Sequence, residues 1–281
     1  MRFEKWQALG NDYLIVEVES LPWELTPARV RRLCDPHFGV GSDGVLLLSR
    51  GDDPAFVAEL RIFNPDGSEA ELSGNGAREA ILYLRRHGWT EADTFSILTA
   101  AGPITPTITS DRTCSVDMGA ASTTSKDFPS GGSDGAGTLS AAGREWAFQH
   151  VSIGNPQCAI VVGDELERLD LAEIGPPIEG HELFPNRTNV SFLRIEGSRV
   201  RARIFERGVG ETLSSGTGAS GAAVTAFLRG AASPVVVELD GGELEVAISP
   251  SLDVTLTGWA EPVCAGELSP ELLAALAGLD E

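Results

Sequence analysis

Two five-residue strings hold this chain's strongest candidates for chemistry: Ser73-Gly74-Asn75-Gly76-Ala77 and Ser215-Gly216-Thr217-Gly218-Ala219. Each opens a stretch that reads as a helix. A helix start presents backbone N–H groups and the positive end of the helix dipole, which together bind carboxylate or phosphate. The glycines let the backbone come close to a ligand. Each string also begins with a hydroxyl. Two equivalent hydroxyls on opposite sides of one carbon suit symmetric acid/base chemistry. Inverting a stereocentre needs one group to remove the α-proton and another to return a proton to the opposite face. The helix starts would hold the α-carboxylate and stabilise the charge that builds on it.

The two strings are related by a shift of 142 residues. Arg61-Ile62-Phe63 falls on Arg203-Ile204-Phe205, Glu69 on Glu211, and Ser73–Ala77 on Ser215–Ala219, with nine identities over 22 ungapped positions. A shift of 144 superposes Gly10-Asn11 on Gly154-Asn155. This is the signature of an internal duplication. The chain reads as two copies of one α/β unit in a pseudo-two-fold relation, with a ligand site expected in the cleft where related domains meet.

Several elements are expected to position these strings. Residues 2–8 and 13–19 read as strands around a turn at Gly10-Asn11-Asp12. Residues 27–34 read as a helix with Thr26 as N-cap and Pro27 at its first position. Strands are expected at 45–48 and 56–63, and a helix at 77–87 ended by Gly88. Residues 120–142, rich in Ser, Gly, Thr and Asp, read as a linker or mobile surface excursion. Beyond it, strands are expected at 158–162, 200–205, 235–239, 244–248 and 254–256, with a small-residue helix running from the second string to Arg229.

Composition narrows the function. The formal charge of -20 argues against nucleic acid, which needs a basic surface, and against anionic membranes. No apolar run reaches the ~18 residues of a membrane span, and the first residues lack a signal peptide's apolar core, so a cytoplasmic location is expected. Cys34, Cys114, Cys158 and Cys264 form no CxxC pair, and the four His form no cluster at zinc spacing. No metal is expected, and the cysteines are expected reduced and buried. Lys5 and Lys126 are the only lysines, which disfavours pyridoxal phosphate; no cofactor is expected. Gly39–Gly44 and Gly216–Gly221 match GxGxxG, but ten residues separate Phe205 from Gly216, whereas a dinucleotide fold needs a strand immediately before the first Gly. Gly131-Gly132-Ser133-Asp134-Gly135 matches GxSxG without the required strand before it and helix after it.

Further strings make the match specific: Leu9-Gly10-Asn11-Asp12-Tyr13, Gly39-Val40-Gly41-Ser42-Asp43-Gly44, Arg61-Ile62-Phe63-Asn64, Asp66-Gly67-Ser68-Glu69, Gly74-Asn75-Gly76-Ala77-Arg78, Gly154-Asn155-Pro156, Asn189-Val190 and Glu206-Arg207-Gly208-Val209-Gly210-Glu211-Thr212. Over nearly its full length the chain resembles the diaminopimelate epimerase family, cofactor-independent amino-acid epimerases of lysine and cell-wall synthesis. The resemblance implies an α+β fold of two pseudo-symmetric domains, each a mixed curved sheet wrapped around a central helix, with the site in the cleft between them. The implied domains are 1–119 with 262–281, and 120–261. It also implies a homodimer and, as the ligand, a small diamino dicarboxylic acid interconverted between its LL and meso forms. Asn11, Asn64, Asn155, Asn189, Glu206 and Arg207 would grip the substrate's amino and carboxylate groups. The backbone around Gly74-Asn75 and Gly216-Thr217 would hold the carboxylate at the reacting carbon.

The chain departs from the family where the chemistry is done. The family carries cysteines at the positions of Ser73 and Ser215, one acting as thiolate base and the other as thiol acid. A thiol ionises near pH 8.5 and a helix start lowers that value. A serine hydroxyl is far less acidic and is a poor base without an activating partner. Gln157 stands where many members have His and cannot titrate, whereas Glu206, the expected tuning group for position 215, is retained. Two accounts fit: a chain altered at both positions to trap substrate, or a homologue that binds ligand or runs other chemistry. Both imply binding with little or no epimerisation. An epimerase or racemase of another amino acid, and a non-catalytic amino-acid-binding protein, are the alternative functions.

Overall fold

The computed structural model describes residues 1–51, 53–71 and 73–279. They form two compact units, Met1–Val116 with Trp259–Glu281, and Asp117–Gly258. Along the chain the α-helices are α1 (Pro27–Cys34), α2 (Gly74–Arg86), α3 (Leu171–Glu179), α4 (Gly216–Leu228) and α5 (Pro270–Ala277).

The first unit is built on a sheet whose strands run, in spatial order, Glu261–Glu267, Arg2–Ala8, Asn11–Glu17, Val45–Ser49, Glu59–Phe63, Ile97–Thr99 and Gly102–Ile104. The apolar run at Val45–Leu48 is continuous because this sheet is covered on both faces. Leu14, Val16, Val45, Leu47 and Phe63 pack with Val30 and Leu33 of α1 and Leu276 of α5. The alternate residues of these strands, including Ile15, Leu46, Leu48, Leu60 and Ile62, are also buried and face the side on which α2 packs.

The second unit repeats this plan. Its strands run Ala136–Ala141, Arg144–Ser152, Pro156–Val161, Asn189–Glu196, Arg199–Glu206, Val235–Leu239, Gly242–Ile248 and Asp253–Trp259. From Arg2–Ala8 in one unit and Arg144–Ser152 in the other, successive pairs are antiparallel, parallel, antiparallel, parallel and antiparallel in both. The duplication therefore extends over six consecutive strands of each sheet, far beyond the 22 positions where the residues themselves match. The α4 helix packs against the strands that begin at Arg144, Pro156, Asn189, Arg199, Val235 and Gly242, so this mixed sheet curves around it. Enclosure on all sides explains the small residues of α4 and its lack of a polar face. Its buried Ser220 and Thr225 hydroxyls donate to the carbonyls of Gly216 and Gly221 four residues back, which satisfies groups that no water could reach.

Several sequence expectations need correction. Residues 120–142 are not a mobile linker. Ala136–Ala141 is a strand paired with Arg144–Ser152, and the loop before it buries Ala121 and Phe128, the latter against Phe148 and Phe184. The second strand is Asn11–Glu17, so Asn11 and Asp12 belong to it; the turn is carried by Leu9 and Gly10, both at positive φ. The strand expected at 56–63 begins at Glu59, and α2 begins at Gly74 rather than at 77. Cys34, Cys114 and Cys158 are buried but Cys264 is exposed, on a strand at the edge of its sheet. No helix among the described residues is long and apolar enough to cross a membrane.

The glycine-rich loop 39–44 is structural. The N–H groups of Gly39, Val40, Gly41 and Ser42 donate to the last carbonyls of α1 and its cap, those of Asp35, Leu33, Leu33 and Cys34. They thereby satisfy acceptors that a helix end leaves unpaired. A Cβ on Gly39 would sit 2.0 Å from the Arg32 carbonyl oxygen and 2.5 Å from that of Leu33. Both are backbone atoms that cannot swing away. Gly39→Ala is expected to destabilise the fold by about 1–3 kcal/mol, read as a lower urea midpoint at unchanged slope.

The α2 helix also buries Arg78 and Glu79 completely. Burial raises the Glu79 carboxyl well above its ordinary range, opposed by the neighbouring Arg78 charge. A raised folded pKa means that the native state keeps a proton the unfolded chain has released. The stabilisation is complete below the unfolded value and is lost as pH rises toward the folded one. Stability should fall from pH 5 to pH 8, and Glu79→Gln should flatten that slope. Urea unfolding at both pH values measures it, and equal slopes in the two proteins would refute the assignment.

Candidate active site

Both serine strings form helix starts of identical construction. Ser73 and Ser215 are extended residues whose side-chain oxygens accept from the N–H groups of Gly76 and Gly218, each at 3.2 Å. This is the N-cap bond that serine makes well. Each helix runs thirteen residues from the glycine after its cap. Before each cap, Arg61 grips Glu69 with two nitrogens at 2.8 and 2.9 Å, and Arg203 grips Glu211 at 2.6 and 2.9 Å. These bonds tie the long strand to the short one that leads into the cap. The Arg–Glu spacing conserved by the 142-residue shift is thus a bracket holding the helix start.

In the first unit, the buried Asn75 donates to Asn11 Oδ1 at 3.2 Å. Asn11 in turn donates to Asp43 at 2.9 Å. Asn75 Oδ1 accepts from Arg78 at 2.5 Å, and the same guanidinium donates to the Gly74 carbonyl at 3.0 Å. A fully buried cation therefore fixes which way the Asn75 amide points. The Ser73 oxygen also receives the Tyr13 hydroxyl at 3.2 Å. Asn64 lies just past the strand Glu59–Phe63, and its amide donates to Ser68 at 2.9 Å.

In the second unit, Asn155 donates to Thr217 at 3.2 Å, the counterpart of the Asn75–Asn11 bond. Gln157 is buried against α4, where a Cβ on Gly221 would lie 2.9 Å from its side chain. Its amide donates to Asn155 at 2.7 Å, and its carbonyl oxygen is buried with no partner among the described residues. Glu206 ends the strand Arg199–Glu206. It accepts from Thr212 at 3.0 Å. Burial raises its carboxyl above the ordinary range, and the Thr212 and Ser215 hydroxyls beside it pull the other way. Asn189 bridges the unit, donating to the Pro156 carbonyl and accepting from the Arg207 N–H. The exposed Arg207 side chain donates to the Asn186 carbonyl at 3.0 Å.

The structure therefore gathers Asn11, Ser73, Gly74 and Asn75 at the start of α2, and Asn155, Gln157, Asn189, Glu206, Arg207, Ser215, Gly216 and Thr217 around the start of α4. Asn64 stands at the position equivalent to Glu206. Sequence reasoning missed Tyr13, Arg78 and Glu179. Buried Glu179 of α3 accepts from Gly208 N–H at 2.7 Å and from Arg187 at 2.6 Å, which pins the loop carrying Arg207. Arg78 was visible only as the last letter of a matched string, and Glu179 gave no signal at all.

Each helix start can receive a carboxylate on its first-turn amides. The side chains beside it are amides, hydroxyls and one carboxyl, suited to orienting amino and carboxylate groups. In the second unit Glu206 can take a proton through Ser215. In the first, Ser73 has a phenol beside it and no carboxylate or imidazole hydrogen-bonded to it among the described residues.

Comparison with known proteins agrees with this construction. The sequence profile of the diaminopimelate epimerase family matches residues 3–124 and 149–261. The gap, 125–148, covers the loop and strand that add an edge to the second sheet. Diaminopimelate epimerase 2 of a Nostoc species is 40% identical over 98% of each chain, and the diaminopimelate epimerase of an Azoarcus species is 40% identical over 95% of this chain and 98% of its own. The fold is shared with a predicted epimerase of Pseudomonas aeruginosa at TM-score 0.68 and 18% identity, over 95% of this chain and 98% of that one. It is also shared with a probable proline racemase of Agrobacterium radiobacter at TM-score 0.65 and 16% identity, over 97% and 95%. With a family profile over most of its length and relatives at 40% identity end to end, this chain belongs to the diaminopimelate epimerase family of cofactor-independent isomerases.

Proposed function

We propose that this chain binds diaminopimelate through the frame its family uses to interconvert the LL and meso forms, and that with serine as both proton carriers it epimerises the ligand very slowly or not at all. The observation carrying this reading is the contrast at the two helix starts. The residues at the family's binding positions are present and ordered by hydrogen bonds, and the two groups that would move protons are hydroxyls. In this reading the amides around Gly74-Asn75 and Gly216-Thr217 take the α-carboxylate. Asn11, Asn64, Asn155, Asn189, Glu206 and Arg207 orient the amino groups and the distal amino-acid head. A cytosolic location and a homodimeric assembly belong to the same reading, on the strength of the family resemblance.

The two-base reaction needs a group that is deprotonated on one side of the α-carbon and protonated on the other. A thiol near a helix start meets both demands around neutral pH. A serine hydroxyl stays protonated throughout that range, so it can donate but cannot by itself abstract. The Glu206–Ser215 pair is the better placed of the two, because a carboxyl accepts the serine proton. It operates on one face only, and inversion needs both.

Two outcomes follow. Calorimetry should detect binding of meso-diaminopimelate, while incubation in deuterated water should show α-deuterium appearing roughly 10²–10⁴-fold more slowly than in an active member, the span usually supplied by a positioned acid or base; exchange at an ordinary enzymatic rate would refute the proposal. Joint Ser73→Cys and Ser215→Cys replacement should restore exchange and inversion, because the frame around both positions is intact. A folded double variant that binds but stays inert would place the defect elsewhere, Gln157 first.

A further inference from the structure

The two serines are equivalent in sequence but differ in the groups that surround their hydroxyls. A hydroxyl has one donor and two acceptor sites. The Ser73 oxygen accepts from Gly76 N–H at 3.2 Å and from the Tyr13 hydroxyl at 3.2 Å. Phenol is much the stronger acid of that pair, so the Tyr13 proton is the one shared. Both acceptor sites are thereby engaged, and the remaining capacity of Ser73 is to donate. Ser215 accepts from Gly218 N–H and has the Glu206 carboxyl, an acceptor, beside it in place of a phenol.

Packing fixes this arrangement. Tyr13 is 5% exposed. Its ring lies where a Cβ on Gly44 would come within 2.6 Å and one on Gly76 within 3.4 Å, so two glycines make the slot that aims the hydroxyl at position 73. Under the 144-residue shift, Gln157 occupies the equivalent position in the second unit and turns to Asn155 instead. Surrounding charges are engaged elsewhere. Arg78 is on Gly74 and Asn75, Asp12 is on Lys5, and Asp43 is on Asn11. Glu79 is buried beside the Arg78 charge.

We propose that Tyr13 is a positioning residue that makes position 73 the proton-donating member of the pair and stabilises negative charge on whatever atom stands there. This rests on the reading of Ser73 as a proton-carrier position, but its test needs no ligand, so a failure of binding leaves it fully readable.

The experiment places a reporter at the position. In a Cys264→Ser background, which removes the exposed native thiol, Ser73→Cys introduces a thiol whose ionisation is followed by thiolate absorbance and by the pH dependence of alkylation. Adding Tyr13→Phe keeps the ring and removes the hydroxyl. The ionisation midpoint of the introduced thiol should rise by about one pH unit, while a thiol introduced by Ser215→Cys should not move. An unchanged midpoint at 73, or equal shifts at both positions, would overturn the proposal. If the phenylalanine variant does not fold, 3-fluorotyrosine at Tyr13 and Tyr83 keeps the volume and sharpens the donor. The midpoint at 73 should then fall, and no change would count against the role of Tyr13.

Discussion

Each half of this molecule depends on one hydrogen bond, from the N–H three residues into a central helix to the side chain that caps it. Ser73 and Ser215 hold α2 and α4 at their starts, and those starts are where a ligand carboxylate would be received. The capping atom and the candidate proton carrier are the same atom. Serine is among the best N-caps, worth roughly 1 kcal/mol over a side chain that cannot accept. A sulfur accepts weakly. With serine, each helix start gains stability and loses an acid/base group. With cysteine it would gain the chemistry and weaken the cap. The bracket of Arg61 on Glu69, and of Arg203 on Glu211, shows how the fold secures the approach to the cap from the other side, so that the helix start does not rest on the cap alone.

Duplication supplies two such starts, and divergence has given them different surroundings. Under the two shifts, Asn64 corresponds to Glu206, Tyr13 to Gln157, Asn75 to Thr217 and Arg78 to Ser220. All but the Tyr13–Gln157 pair preserve a structural duty while changing the chemistry. Arg78 and Ser220 both donate to the carbonyl of the first helical glycine, one as a buried cation and the other as a hydroxyl. Asn75 and Thr217 both meet an asparagine, Asn11 and Asn155. Asn64 and Glu206 both stand at the end of the long strand's course, but only the second brings a titratable group beside its cap. The backbone is therefore nearly symmetric, and the electrostatics are not.

Much of this was legible in the residues, for identifiable reasons. Thr26-Pro27 announces α1 because a hydroxyl cap and a proline at the first position are local signals. The caps of α2 and α4 and the Arg–Glu brackets were legible because they recur at a fixed shift. What escaped was non-local or locally contradictory. The α3 helix contains Pro176 and Pro177 near its end, residues that argue against helix when read one at a time, and it forms because Asp170 caps it and Leu171 and Ile178 bury. The strand Glu261–Glu267 is exposed along most of its length, so it carries no alternating pattern, and it exists by pairing with the N-terminal strand. Residues 120–142 look like a linker by composition, yet Phe128 anchors them in an aromatic cluster. The Tyr13 hydroxyl could not be assigned to Ser73 from sequence, because the assignment depends on a ring slot made by Gly44 and Gly76.

The order of the side chains around Ser73 and Ser215 has a physical explanation. Nearly every group assigned to holding the ligand is a backbone amide, a carboxamide or an always-charged guanidinium, and its orientation is fixed by neighbours other than the serine side chains. Asn75 is held by Arg78, Asn155 by Gln157 and Thr217, and the Arg207 loop by Asn189 and Glu179. Exchanging sulfur for oxygen at the caps disturbs none of these bonds. In the proposed reading, binding and proton transfer are therefore separable: the first would rest on the helix starts and their amide partners, and the second on one atom at each.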